Sequence, residues 1–129
     1  MKHIIKLFAI VLLFQSFQCE KDEENSNQTT KQVQLAQEKQ IILDYIASFE
    51  CDASVGCDFL AFGSKPCGGP WEYLVFSNAV DLTYLTNKIN NYNELEHQYN
   101  IETGAISDCM AVSPPEEVGC VNGVCGIIQ

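Results

Sequence analysis

Arginine is missing from all 129 residues, so lysine supplies every basic side chain, and seven lysines face 17 acids for a formal net charge of −10. A protein that grips phosphates needs a basic surface to displace counterions, and this one would repel them, which excludes nucleic acid as a partner. Histidine is scarce, with His3 and His97 alone in the chain, and Trp71 is the sole tryptophan. No Gly-x-Ser-x-Gly occurs, so Ser64, Ser77 and Ser107 have no nucleophile-elbow setting. No glycine-rich loop runs into Lys-Ser or Lys-Thr, which excludes a phosphate-binding loop. Asp52 and Asp58 flank a cysteine but lie in no twelve-residue calcium pattern. Internal repeats are absent. After the first apolar run, nothing approaches the length of a bilayer span.

What is present begins with that run. In "MKHIIKLFAIVLLFQSF", Lys2 and Lys6 precede an apolar stretch from Leu7 to Leu13, too short to cross a membrane comfortably, so residues 1–18 read as a secretory signal. The next residues, "SFQC" followed by "EKDEE", resemble the lipobox and surface-export signal of Bacteroidetes-type lipoproteins. The resemblance covers about the first 24 residues. It implies cleavage before Cys19, acylation of Cys19, and an export signal formed by Glu20, Lys21, Asp22, Glu23 and Glu24. It places the protein on the outer membrane, lipid-anchored and surface-facing, with the membrane as a partner through that lipid. Gln18 and Ser16 depart from the usual small residue and leucine of the motif. Several acyl chains hold a soluble domain on a bilayer far better than one, at about 0.8 kcal/mol per buried methylene. Cleavage would leave five lysines against 17 acids, a formal charge of −12.

With Cys19 set apart, Cys51, Cys57, Cys67, Cys109, Cys120 and Cys125 remain. Six cysteines in an exported chain imply three disulfides, with fifteen possible pairings. Intervening spacings of five, nine, forty-one, ten and four residues lack the close thiolate pairs of a structural zinc site, so no metal is expected. One pairing can be read locally. "CVNGVC" sets Asn122-Gly123 at the centre of a type I′ hairpin, with Val121 and Val124 as the hydrogen-bonded pair beside the turn. Cys120 and Cys125 then form the next, non-hydrogen-bonded pair, close enough for a bridge. Cys120–Cys125 is the pairing this favours; Cys51 or Cys57 stays open as a partner for either.

Residues 19–29 are polar and acidic and read as a lipidated flexible tether. An amphipathic helix follows over 30–50: Ile42, Tyr45, Ile46 and Phe49 share a face, and Leu35 lies two turns earlier on the same side. Its polar first half could project as a stalk. Residues 51–129 form the disulfide-stapled domain. "CDFLAFG" and "WEYLVFS" have strand character, and neither has a cleanly polar face, so each should be covered on both sides at least in part. Asp81 suits an N-cap, and Leu82, Leu85, Ile89, Tyr92, Leu95 and Tyr99 form one apolar stripe. Four asparagines, Asn87, Asn90, Asn91 and Asn93, weaken that helix, so packing must support it. Gly104 would stop it. Ile106–Val112 reads as a short strand, and the hairpin ends the chain. The predicted fold class is α+β: a small antiparallel sheet with one main packed helix, an N-terminal helical stalk and three disulfides.

The most distinctive patch is "GSKPCGGPWEYL". Together with "SDC…PP…C.NG.C" it resembles a small exported bacterial six-cysteine domain over residues 51–125. That resemblance brings no activity with it, so no functional residue carries over. The residues themselves suggest a recognition loop of Ser64, Lys65, Pro66, Gly68, Gly69, Pro70 and Trp71. Two prolines and a bridge at Cys67 would rigidify it, so little entropy would be lost on docking. Lys65 would then be a natural probe for a trypsin-like pocket. The same residues also fit an ordinary hairpin loop that turns at Gly68-Gly69 and buries Trp71.

Catalytic groups are harder to assemble. His97 falls off the apolar stripe, and Glu94 and Glu96 diverge at a spacing of two. Glu72 and Asp108 could converge only through the fold. If every cysteine is bridged or acylated, no thiol nucleophile remains. The expected function is a non-catalytic surface module for an extracellular protein or glycan, with no cofactor. The alternatives are an inhibitor of an extracellular hydrolase acting through Ser64–Pro70, and a small hydrolase.

Overall fold

A computed structural model describes residues 22–128, with side chains from Ser26 onward. The expected leader, the lipidation at Cys19 and the side chains of the export signal Glu20–Glu24 lie outside the described residues. In chain order the elements are α1 (Asp22–Ala47), β1 (Cys57–Phe62), β2 (Glu72–Ser77), α2 (Leu82–Thr103), β3 (Val118–Val121) and β4 (Val124–Ile127). The class is α+β with antiparallel pairing, but the single expected sheet is two separate two-stranded sheets, β1–β2 and β3–β4.

The helices run antiparallel side by side. Lys31 pairs with Glu102 at one end, and the Tyr45 and Tyr84 rings meet at a tilt near the other, with centroids 4.7 Å apart. Each buries the stripe its periodicity marks: Leu35 and Ile42 from α1, and Leu85, Ile89 and Tyr92 from α2. Leu82 begins the predicted α2 stripe but stays exposed, one residue inside the cap. Asp81 caps α2 by accepting the Tyr84 N–H at 2.9 Å, and its own N–H donates to the Tyr45 hydroxyl at 3.0 Å. Gly104 ends the helix at φ +62°, a left-handed conformation that glycine adopts without a Cβ penalty.

Two expectations about the first helix need correction. It begins at Asp22, so most of the segment expected to be a flexible tether is helical. Extending a helix already nucleated by packing costs little per residue, and an acidic start suits the positive end of the helix dipole. Its first half is also no free stalk, because α2 is long enough to run beside it: Leu35 is buried, and the Gln32 side chain donates to the Tyr99 hydroxyl at 2.5 Å. Ile42 in the second half of α1 joins the core with the β1–β2 side chains, as the periodicity of that half implies.

In β1–β2, Leu60 faces Leu74 and Asp58 faces Phe76. Phe62, Leu74 and Phe76 join the two helices and Val80 in the core. Cys57, Phe59, Val75 and Ser77 lie on the opposite face, and the β3–β4 hairpin covers its Cys57–Ser77 end. This is the two-sided covering expected from strands with no clean polar face. The hairpin turn is as predicted, with Asn122 at φ +52° and Gly123 at φ +82°, and Cys120 stands opposite Cys125 in the ladder.

Those two cysteines do not bond to each other. The bridges are Cys51–Cys120, Cys57–Cys125 and Cys67–Cys109. The favoured Cys120–Cys125 pairing is overturned because both side chains share the hairpin face turned toward the body, where Cys51 and Cys57 wait. The Cys51 N–H donating to the Gly123 carbonyl at 3.1 Å holds the two segments together. Ile106–Val112 is not a strand either. No sheet edge accepts it; it is held instead by Cys109 and by contacts to Lys65, with Ile106 and Met110 largely exposed.

Candidate functional site

The nine residues between β1 and β2 are held from three sides. Along α2, Asn93, Glu96 and Asn100 fall on one face at steps of three and four, and each takes part of the loop backbone. Asn93 Oδ1 accepts the Gly63 N–H at 2.7 Å, and Glu96 Oε2 accepts the Ser64 N–H at 2.5 Å. Asn100 Nδ2 donates to the Ser64 carbonyl at 2.7 Å. From the segment after α2, Cys109 bonds to Cys67. Within the loop, Lys65 N–H donates to the Gly69 carbonyl at 2.9 Å, and the Gly68 N–H donates back to the Lys65 carbonyl at 2.8 Å.

Lys65 is the third brace. Only 5% of it is exposed. Its Nζ donates to Asp108 Oδ1 at 3.1 Å and to the Met110 carbonyl at 2.8 Å, and it lies 5.2 Å from the centre of the Trp71 ring. A buried ammonium persists only when hydrogen-bonded and charge-compensated, and this one has both, plus an aromatic face. The expectation that Lys65 probes a trypsin-like pocket is therefore corrected: its charge is spent inside, tying residues 108–110 to the loop.

The turn at Gly68-Gly69 is the one the ordinary-loop alternative describes, but that reading's core placement of Trp71 is overturned. Trp71 is 42% exposed, not core, although its ring sits on Gly63 and its backbone N–H donates to the Phe62 carbonyl at 3.0 Å. Gly68 and Gly69 both have positive φ, and a Cβ on either would meet open space. Cys67, Gly68 and Gly69 are exposed, whereas Ser64, Pro66 and Pro70 are half-buried. The predicted loop residues are thus brought together as a fixed turn with an open crest and an aromatic flank.

Behind the loop lies a small polar cluster. Burial holds the Glu96 carboxyl above its ordinary value, against the opposing pull of the Ser64 N–H and the Tyr92 hydroxyl. Tyr92 donates to Glu96 Oε1 at 3.4 Å and stacks on Phe62 at 4.4 Å between centroids. Burial first, and then the Glu96 charge, push its phenol up to about 12. These groups are spent on positioning the loop.

The other candidate pairs do not converge into chemistry. Glu72 binds Lys39 at 2.7 Å, while Asp108 binds Lys65. Glu94 takes Gln98, pointing away from Glu96. Asp52 Oδ1 accepts the N–H groups of Ser54 and Val55 and the Ser54 hydroxyl, which hold its carboxyl below the usual range. Asp58 Oδ1 accepts the Phe59 N–H. His97 is exposed, as its place off the stripe implies. Ser77 is buried and donates to the Glu50 carbonyl at 2.8 Å.

Asn93 and Asn100 are not among the sequence candidates for a site, and Glu96 enters there only as half of a diverging carboxylate pair. Their signal was a polar stripe at helical spacing beside the apolar one, in a helix where asparagine otherwise only lowers propensity. No family model, curated protein or solved structure matches this chain. Among the described residues, no helix is long and apolar enough to cross a membrane.

Proposed function

We propose that the protein is a lipid-anchored, surface-facing module of the outer membrane that binds an extracellular protein or glycan and catalyses nothing. The observation that carries the proposal is Trp71: a large aromatic ring left 42% exposed on a loop that a disulfide, a buried lysine and three helix side chains hold in one conformation. An aromatic surface that is already ordered loses little entropy when a partner covers it, and tryptophan is enriched where binding energy concentrates. The lipidated Cys19 with its acidic flank supports the address. An inhibitory role through Ser64–Pro70 would have to use the exposed crest at Cys67–Gly69, since Lys65 is buried.

Because Trp71 is the sole tryptophan, its fluorescence reports directly on the proposed surface. The full chain in mild detergent is titrated with purified extracellular polysaccharides and envelope proteins. A ligand that shifts Trp71 emission saturably, and whose binding fails with Trp71→Ala while the fold is retained, is the expected result. Binding that survives Trp71→Ala would move the site elsewhere, and turnover of any ester, glycoside or peptide would overturn the non-catalytic assignment. Palmitate label incorporated by cells making the wild-type chain and lost with Cys19→Ser is the expected result for the anchor.

A further inference from the structure

Two of the three disulfides are neighbours. The Sγ atoms of Cys51, Cys57 and Cys125 all lie within 4.8 Å of one another, and Cys120 Sγ is bonded to the first of them. The hairpin register sets Cys120 directly opposite Cys125. A non-hydrogen-bonded antiparallel pair brings its Cα atoms to about 4.5 Å, within the range a disulfide spans. The same four sulfurs thus admit a second pairing, Cys51–Cys57 with Cys120–Cys125.

Cys51 is buried, and Cys57, Cys120 and Cys125 are half-buried. Of the four cysteines it is Cys125 that borders a groove, one of about 390 Å³ shared with Leu43, Ile46, Phe49, Val75 and Val124. We propose that Cys51, Cys57, Cys120 and Cys125 form one thiol–disulfide exchange centre, opened by an external thiol that enters this groove and attacks Cys125.

The sequence of steps is redox-neutral. The external thiolate bonds to Cys125 Sγ, and the Cys57–Cys125 bond breaks with its electron pair leaving on Cys57. The Cys57 thiolate attacks Cys51 Sγ, forming Cys51–Cys57 and expelling the Cys120 thiolate. Cys120 attacks Cys125 across the hairpin, forming Cys120–Cys125 and returning the external thiol, which regains its proton from solvent. Each step makes one S–S bond and breaks one, so the thiol is a catalyst and no oxidant is consumed. The product frees β3–β4 from both covalent ties to the body while Cys67–Cys109 still braces the loop. The groove thereby becomes a site for a thiol-bearing molecule, either a small thiol or an exposed cysteine of another protein.

The test strands one sulfur and asks where the free thiol goes. In the full chain carrying Cys19→Ser, Cys57→Ser leaves Cys125 unpaired beside Cys51–Cys120. After incubation at pH 8, acid quenching, alkylation and peptide mapping, the label is expected on Cys51 or Cys120 as well as on Cys125, and never on Cys67 or Cys109. Label confined to Cys125, or spread to Cys67 and Cys109 as in general scrambling, would overturn the proposal. Should Cys57→Ser fail to fold by Trp71 fluorescence, Cys51→Ser strands Cys120 instead. Its label should then spread to Cys57 or Cys125, and confinement to Cys120 would be equally decisive. Small-thiol and protein-thiol sources separate in the Cys19→Ser chain with its six other cysteines intact: trace glutathione is compared with a cysteine-bearing peptide for the rate at which Cys120–Cys125 appears.

Discussion

Gly63→Ala should be among the most damaging single-methyl additions to this protein, and its cost can be worked from the geometry. Gly63 sits at φ +84°, where an L-residue costs about 1–2 kcal/mol. A Cβ built there would lie 2.6 Å from Trp71 Cδ1, 3.2 Å from Trp71 Cβ and 3.1 Å from Glu96 Oε2. Swinging the indole would relieve the first contact but not the second, because Trp71 Cβ is fixed by a backbone whose N–H is bonded to the Phe62 carbonyl. Moving Glu96 would loosen the Ser64 N–H. Overpacking of this kind adds about 1–3 kcal/mol, giving a total of about 2–5 kcal/mol. Gly69→Ala is the control: its φ is +83°, but its Cβ would meet nothing within 4 Å. It should cost only the backbone part, about 1–2 kcal/mol. Urea unfolding followed by Trp71 fluorescence and far-ultraviolet dichroism measures both. For a domain this small, each kcal/mol corresponds to about 4–8 °C in Tm. Equal losses for the two variants would refute the claim that Trp71 is seated on Gly63.

Three other outcomes follow from the same contacts. Lys65→Ala should lose about 2–3 kcal/mol in urea unfolding, from hydrogen bonds to a charged donor and a buried stem, whereas Lys65→Met keeps the stem and should lose less. In alkaline titration, the folded state holds the Tyr92 proton more tightly than the unfolded chain, so its contribution is complete below pH 10 and falls away as pH rises toward about 12. Tyr92→Phe should flatten that part of the stability profile, and an unchanged alkaline limb would count against the buried phenol. Cys51–Cys120 and Cys57–Cys125 close nearly the same loop, with separations of 69 and 68 residues. Once either is present, the other closes only a ring of about eleven residues, and with Cys67–Cys109 in place the first closes one of about 27, so removing one pair should cost about 3 kcal/mol and removing both about 6 kcal/mol. Denaturant midpoints of the double and quadruple serine variants measure this.

Much of the fold was legible because local rules and global packing agree. The α2 stripe, the Asp81 cap, the Gly104 stop and the Asn122-Gly123 turn depend on neighbours a few residues away, and each appears where its residues place it. The cysteine pairing was not legible in the same way. The hairpin register was correct, yet register says only that Cys120 and Cys125 share a face; what that face meets depends on how the hairpin lies across β1–β2. Lys65 was misread for a similar reason. A lysine between glycines and prolines has every local sign of exposure, and only Asp108, Met110 and Trp71, brought in by the fold, draw it inward. Ile106–Val112 has strand composition, but it pairs with neither sheet and is tied instead to the 63–71 loop by Cys109 and Lys65.

The antiparallel helix pair gives the molecule two unlike poles. The start of α1 lies beside the end of α2, where Asn100 holds the 63–71 loop. Its last turn, about 39 Å from its first, leads through Phe49 and Cys51 to the hairpin tip. A chain held upstream of Asp22 would therefore stand with Trp71 nearer its root and the paired sulfurs at its summit.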